Sequence, residues 1–322
     1  MIQVNHLTKS FRIPITGKNR WQRIKSYVSG AHQEKTAVQD ISFTVNKGEF
    51  VGYIGPNGAG KSTTIKMLTG ILHPSAGEVL IDGSSPHKNR RQVVRKLGVV
   101  FGQRCQLWWD LPVRDSYDIL AEMYRIERSQ KERTLAELGE LLQLGEFMDT
   151  PVRKLSLGQR MRADLAASLL HNPDILFLDE PTIGLDIVAK KTIRGLLKSL
   201  NRELGKTILL TTHDMDDIEQ LCERVMVINH GQLAYDGTID GLRERIGLPT
   251  LIKVSYTGPV SVPAEWSGDF LITEHLGNDL IIQCNRRSIQ AMEILRQMEQ
   301  WGTIADVHME EPNFEEVIHR IY

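Results

Sequence analysis

Short apolar runs recur through the first part of the chain: Phe50-Val51-Gly52-Tyr53-Ile54, Gly98-Val99-Val100-Phe101, Ile175-Leu176-Phe177-Leu178 and Thr207-Ile208-Leu209-Leu210. Each is apolar throughout rather than alternating, which predicts strands buried on both faces. Amphipathic stretches at helical spacing lie between them, predicting helices over Ser116 to Arg125, Lys131 to Leu144 and Ala189 to Glu203. Strands alternating with helices predict an α/β fold with a mainly parallel sheet covered on both faces. The rhythm changes after Asp236. Gly237, Gly241, Gly247 and Pro249 punctuate residues 237–250, which read as a linker. Residues 251–322 then predict a small α+β domain, with strands over Leu251 to Tyr256, Asp279 to Cys284 and Thr303 to Met309. Helices are expected there over Ser288 to Gln300 and, after Pro312, Phe314 to Tyr322. Within the first domain, residues 1–236, a basic stretch over 12–35 reads as an insert: Arg12, Lys18, Arg20, Arg23, Lys25 and Lys35, with Trp21 and Tyr27.

Composition narrows the class of function. Lys plus Arg number 39 against 40 for Asp plus Glu, a net charge of −1, so the basic excess of a nucleic-acid coat protein is missing and no nucleic-acid partner is expected. No run approaches the roughly 18 consecutive apolar residues of a membrane-spanning helix. Met1-Ile2-Gln3-Val4-Asn5 lacks the layout of a secretory signal. Cys105, Cys222 and Cys284 lie far apart and read as reduced thiols of a cytoplasmic protein. Any membrane role is therefore expected to come through a partner.

The chemistry begins at Gly55-Pro56-Asn57-Gly58-Ala59-Gly60-Lys61-Ser62-Thr63, between a strand and the helical stretch Thr64 to Leu72. G-x-x-x-x-G-K-S in that setting is a phosphate-binding loop. Gly55, Gly58 and Gly60 let the backbone curl until its N–H groups converge on one anion, and the helix adds its positive end. Lys61 suits the β- and γ-phosphates, and the Ser62 hydroxyl suits Mg²⁺. Kinases, GTPases and motor ATPases all carry such a loop, so it does not name a function.

Asp174-Ile175-Leu176-Phe177-Leu178-Asp179-Glu180-Pro181 is an apolar strand ending in two carboxylates. Asp179 suits the metal, directly or through water, and Glu180 suits the proton of an attacking water. The plainer alternative is an acidic cap on a helix started by Pro181. Leu155-Ser156-Leu157-Gly158-Gln159-Arg160 opens another helical run and offers a second anion site, with a hydroxyl and orphan N–H groups. One nucleotide needs one phosphate loop, so the surplus site requires its own explanation.

The phosphate loop, Leu-Ser-x-Gly-Gln, Leu-Asp-Glu-Pro, Gly184-Leu185-Asp186 and Thr211-Thr212-His213-Asp214 stand in this order over Met1 to Asp236. The set resembles an ATP-binding cassette (ABC) transporter ATPase. The resemblance implies a P-loop ATPase fold with a signature-helix subdomain, using ATP and Mg²⁺. It also implies two cassettes paired head to tail, as a second copy or a paralogous chain, so that Ser156, Gly158, Gln159 and Asp186 of one complete the ATP site of the other. Gln103 in Val100-Phe101-Gly102-Gln103 resembles the glutamine that contacts Mg²⁺ and the attacking water. His213 resembles the switch histidine at the γ-phosphate, and Phe11 the aromatic residue stacked on adenine. The partners implied are integral-membrane permease subunits, with the cassette at the cytoplasmic face of the membrane.

Leu157 stands where the family usually has a second signature glycine, and Arg104-Cys105-Gln106-Leu107-Trp108-Trp109 follows Gln103 where the family faces its permease. These two features, with the tail Pro312-Asn313-Phe314-Glu315-Glu316-Val317, look most like export-type cassettes of the drug, sodium or polysaccharide kind. Two other readings stay open. One is a soluble cassette acting on ribosomes or DNA, and the other is an ATPase gated by a ligand on the C-terminal domain.

Overall fold

A computed structural model describes residues 1–14, 32–102, 104–246, 250–263, 270–284, 291–310, 318 and 320. The chain divides into two compact units, Met1–Thr238 and Ile239–Tyr322. The centre of the first is a six-stranded sheet. Its strands, with β1 (Ile2–Pro14), β2 (His32–Val45) and β4 (Ala76–Ile81) set aside in a second sheet, are β3 (Phe50–Ile54), β5 (Leu97–Phe101), β6 (Ile175–Asp179), β7 (Thr207–Thr211), β8 (Arg224–Asn229) and β9 (Gln232–Thr238). They lie in the order β5-β6-β7-β3-β8-β9. All neighbours are parallel except the β8–β9 pair. Every residue of β3 and β7 is buried, as is β6 up to Leu178. The apolar runs of β3, β6 and β7 are thus interior strands of the sheet, whereas the run Gly98 to Phe101 forms β5 at its edge, where Val99 and Phe101 are only half-buried.

The second sheet is antiparallel in the order β2-β1-β4. Ile2 pairs with both Val45 and Ile81, and Ile2, Val4, Leu7, Val38, Ile41 and Val79 turn inward onto the same core as Tyr53, Met67, Phe177 and Leu209. β1 and β2 extend into the stretch read as a basic insert, with Arg12 opposite Glu34 and Phe11 opposite Lys35. The remainder of that insert, residues 15–31 with Lys18, Arg20, Trp21, Arg23, Lys25 and Tyr27, lies outside the described residues.

Helices form over Lys61–Leu68, Val113–Tyr124, Arg128–Leu142, Leu157–Leu169, Ile187–Arg202 and Met215–Leu221. Leu157–Leu169 is the best anchored at its start. Ser156 Oγ accepts the Gln159 N–H at 3.2 Å while Gln159 Oε1 accepts the Ser156 N–H at 3.0 Å, a reciprocal cap.

The second unit carries β10 (Thr250–Tyr256), β11 (Phe270–Leu276), β12 (Asp279–Cys284) and β13 (Ile304–Glu310), antiparallel in the order β11-β12-β10-β13. The helix Ala291–Met298 sends Ile294 and Met298 onto a core with Ile252, Val254, Leu280, Ile282 and Trp301. β11 is not among the sequence expectations, because most of its side chains are exposed and its pattern is weak. Residues 237–250 also differ from a plain linker: Gly237 and Thr238 end β9, and Ile239–Ile246 is a helix with Leu242 buried. Its apolar residues Ile239, Leu242 and Ile246 recur at helical spacing, which outweighs the single Gly241. Of the expected terminal helix, only Ile318 and Arg320 are described.

Candidate active site

Parallel strands bring their carboxyl ends to one edge, and in sheets of this kind that edge is where ligands bind. Here the phosphate loop follows β3, Gly102 follows β5, Asp179 ends β6 and His213 lies just after β7. A cleft of about 590 Å³ opens among Asn57, Ser62, Phe101, Asp179, Glu180 and His213.

The glycines of the loop are needed for different reasons. Gly58 and Gly60 sit at φ of 83° and 110°, where side chains are strained. A Cβ on Gly60 would stand 2.5 Å from the Ala37 carbonyl oxygen, and one on Gly55 would stand 2.2 Å from that of Ile228. The loop is therefore pressed against β2 and β8 and has no room for side chains at these positions. Lys61 opens the helix Lys61–Leu68, is only 7% exposed, and donates to the carbonyls of Gly55 at 2.6 Å and Pro56 at 3.3 Å. Burial lowers its pKa, against the opposing pull of the Glu180 and Asp179 carboxylates. Ser62 is exposed to the cleft, and Thr63 is half-buried on the same helix.

Ser62 Oγ donates to Asp179 Oδ1 at 3.4 Å, and Thr211 Oγ1 donates to the same oxygen at 2.5 Å. A hydroxyl beside a carboxylate is an all-oxygen donor pair, which suits a hard cation such as Mg²⁺ that keeps several waters and phosphate oxygens in its shell. Next to it Glu180 adopts φ of 55°, rare for a residue with a side chain. Its N–H donates to the Thr211 carbonyl at 2.9 Å, while Gly102 N–H donates to the Asp179 carbonyl at 2.7 Å. The backbone turn thus re-aims Glu180, and its carboxylate lies 3.3 Å from His213 Nδ1. A Cβ on Gly102 would come within 2.1 Å of the Glu180 carbonyl oxygen. Gly102→Ala is accordingly expected to cost about 1–3 kcal/mol of stability through overpacking, read from denaturant unfolding. Gln103 itself lies outside the described residues.

A separate pocket of about 330 Å³ is lined by Ser156, Leu157, Gly158, Gln159, Gly184 and Asp186, among others. No residue lines both this pocket and the cleft. Asp186 caps the helix Ile187–Arg202, with Oδ1 accepting the Ala189 N–H at 2.7 Å. The cap on Leu157–Leu169 engages the Gln159 side chain with its own helix, so the Gln159 amide oxygen is occupied within the chain. Leu157 is 41% exposed and packs beside Gly184. Phe11 lies on β1, 37% exposed, with Lys9 Nζ 5.3 Å from its ring centroid.

Residues 38–183 match the family model described as ABC transporter. The chain is 35% identical over 208 residues to the ABC transporter ATP-binding protein NatA of Bacillus subtilis (strain 168), covering 65% of this chain and 84% of that relative. The chain belongs to the ABC transporter ATPase family. The cassette is also 37% identical over 254 residues to the Nod factor export ATP-binding protein I of Burkholderia orbicola (strain AU 1054), covering 79% of this chain and 83% of that relative. Among solved structures, it resembles a dimeric post-hydrolysis state of the ATP-binding cassette MJ0796 bound to ADP and Pi. The TM-score is 0.62 at 27% identity, over 74% of this chain and 98% of the other.

One buried group of the cassette was not legible in advance. Asp217 is 0% exposed and accepts hydrogen bonds from Thr182 and Arg194 at 2.5 Å and from Thr212 at 3.1 Å. Asp214 beside it pairs with Lys190 and Arg194. The network joins the turn after Glu180, the loop carrying His213 and the helix capped by Asp186. The adjacent acids of Asp214-Met215-Asp216-Asp217 look like an ordinary acidic first turn. Only Arg194, four residues beyond Lys190, hints at a buried partner. Asp217→Ala is expected to destabilise by about 3 kcal/mol, because it leaves Arg194 short of a buried counter-charge. Denaturant unfolding checks this.

Proposed function

We propose that this ATPase powers a membrane transporter, working as a pair of cassettes bound to integral-membrane permeases at the cytoplasmic face. The observation that carries this reading is the division, within one chain, of the groups expected to meet the nucleotide. Lys61, Ser62, Asp179, Glu180 and His213 line or border one cleft, whereas Ser156, Gly158 and Asp186 line another pocket that shares no residue with it. Two copies arranged head to tail would bring each cleft against the other copy's pocket. The similarity to a dimeric ATP-binding cassette supports pairing. No described helix is long and apolar enough to cross a membrane. Relatives named for Nod factor export and linearmycin resistance favour export.

In this reading Lys61 and the loop amides hold the β- and γ-phosphates, and Phe11 lies against adenine. Ser62, Asp179 and Gln103 would hold Mg²⁺, which supplies charge neutralisation at the phosphates. Glu180 accepts a proton from the attacking water as its oxygen bonds to the γ-phosphorus and the bond to the β–γ bridging oxygen breaks, leaving ADP and phosphate. His213, 3.3 Å from Glu180, orients that carboxylate and the γ-phosphate. Ser156 and Gly158 of the second copy hold the γ-phosphate from the other side, with Gln159 reinforcing their helix start and Asp186 crossing the interface. Loss of the γ-phosphate removes the anion both copies share. The closed pair then loses its differential stabilisation, and the permeases change shape. Purification of the chain from native membranes tests this: permease subunits are expected to accompany it, and ribosomes or DNA in their place would contradict the reading.

A further inference from the structure

Asp164 is a carboxylate in the middle of the helix Leu157–Leu169, only 4% exposed, and no step above uses it. Its partners lie 58 and 59 positions earlier in the chain. Asp164 Oδ1 accepts the Gln106 N–H at 3.1 Å and the Cys105 S–H at 3.3 Å, and its backbone carbonyl accepts Gln106 Nε2 at 2.8 Å. One helical turn earlier on the same face, the Arg160 guanidinium lies 4.5 Å from the centroid of the Trp109 ring. Tyr117 adds a bond from its hydroxyl to the Ala163 carbonyl at 3.0 Å. One face of the signature helix therefore grips the segment that follows Gly102 at both ends, Cys105-Gln106 and Trp109.

A buried carboxylate is an expensive way to hold a loop. Burial raises the Asp164 pKa to about 6, against the lowering influence of the Gln106 N–H, the Cys105 thiol and Arg160. The folded chain thus holds this proton more tightly than the unfolded chain. The group's contribution to stability is most favourable below its unfolded pKa and declines as pH rises through about 6. At neutral pH Asp164 costs stability, and an apolar residue of similar volume would pack the site at no greater cost. The groups facing the carboxylate are Cys105, Arg160 and Tyr117, and none of them is an acid that would reverse the sign. A costly group kept in a core points to a task other than folding.

We infer that Asp164 is a positioning residue that locks residues 105–109, the segment directly after the cleft residues Gly102 and Arg104, to the signature helix of the same chain. The inference rests on the proposed division of the site between two copies. When the second copy draws the signature helix onto its γ-phosphate, the lock carries residues 105–109 with it and sets the placement of the segment beginning at Gly102. Asp164 touches neither nucleotide nor metal; it acts through Cys105 and Gln106.

The test compares Asp164→Leu and Asp164→Asn in the full chain, measuring phosphate release and the affinity of a non-hydrolysable ATP analogue. The leucine variant removes the acceptor, and turnover is expected to fall about tenfold or more from misplacement of a few tenths of an ångström to an ångström. Analogue affinity should stay within about twofold, because the phosphate loop is untouched. The asparagine variant keeps a carbonyl acceptor for the Gln106 N–H and should recover turnover to within about threefold. Turnover of Asp164→Leu above half that of the unmodified chain would overturn the inference. So would an equal loss in both variants together with loss of analogue binding, which marks a residue that only holds the fold. Should the leucine variant not fold, Gln106→Leu removes the side-chain bond to the Asp164 carbonyl from the other side and carries the same expectation. Unimpaired Asp164 variants alongside an inactive Glu180→Gln would sink the lock and leave the proposed mechanism standing; an active Glu180→Gln would do the reverse.

Discussion

Glu180→Gln is expected to lower steady-state ATP hydrolysis by about 10²–10⁴-fold, the range of a lost general base, while ATP still binds. The substitution keeps the size of the side chain and its place 3.3 Å from His213, but an amide cannot take the proton of the attacking water. The phosphate loop, Lys61 and the Ser62–Asp179 pair are unchanged, so affinity for nucleotide remains. The unbroken triphosphate should then hold two cassettes together for longer than in the unmodified chain. Single-turnover phosphate release with sedimentation in the presence of ATP reads both effects. Substantial residual turnover would remove Glu180 from its assigned role.

Lys61→Ala acts at the other end of the same cleft and fails in a different way. Lys61 is 7% exposed and its ammonium is held by the loop's own carbonyls, so it is aimed before nucleotide arrives. Its removal is expected to cost about 1.5–3 kcal/mol of binding, the usual worth of a hydrogen bond to a charged group, or roughly 10–150-fold in affinity. Equilibrium titration with an ATP analogue measures it, with unfolding in the absence of nucleotide as the control for the fold. Unchanged affinity would contradict the cradle. The pair of variants separates binding from chemistry: one loses turnover and keeps nucleotide, the other loses nucleotide first.

How much of this was legible in the sequence follows from how local each signal is. The central strands declare themselves because β3, β6 and β7 are apolar along nearly their whole length. The phosphate loop and the Asp179-Glu180 pair stand at the ends of those strands, so their meeting follows from a parallel sheet. The β2-β1-β4 sheet is harder, since Ile2 finds Val45 and Ile81 far along the chain and the exposed positions between them look like any polar surface. Glu180 at φ of 55° is invisible in the sequence, because nothing in its neighbours requires a left-handed residue with a side chain there. The need for Gly102 appears only once the Glu180 carbonyl is beside it. Asp164 is a lone acid in a helical stretch and Asp217 one of several acids in a first turn, and it is their partners from other elements that make them buried groups. The reciprocal cap, by contrast, was open to reading: Ser156 and Gln159 have its spacing.

The central claim is that each site is completed by a second copy, and mixing two crippled variants tests it most directly. Lys61→Ala spoils the cleft, and Ser156→Arg places a bulky side chain in the separate pocket. Each should be inactive alone in phosphate release. Combined in equal amounts, they form mixed pairs in which the intact cleft of one chain meets the intact pocket of the other, and turnover is expected to return. If the mixture is as inactive as its components at every ratio and concentration, the site is not shared between two copies.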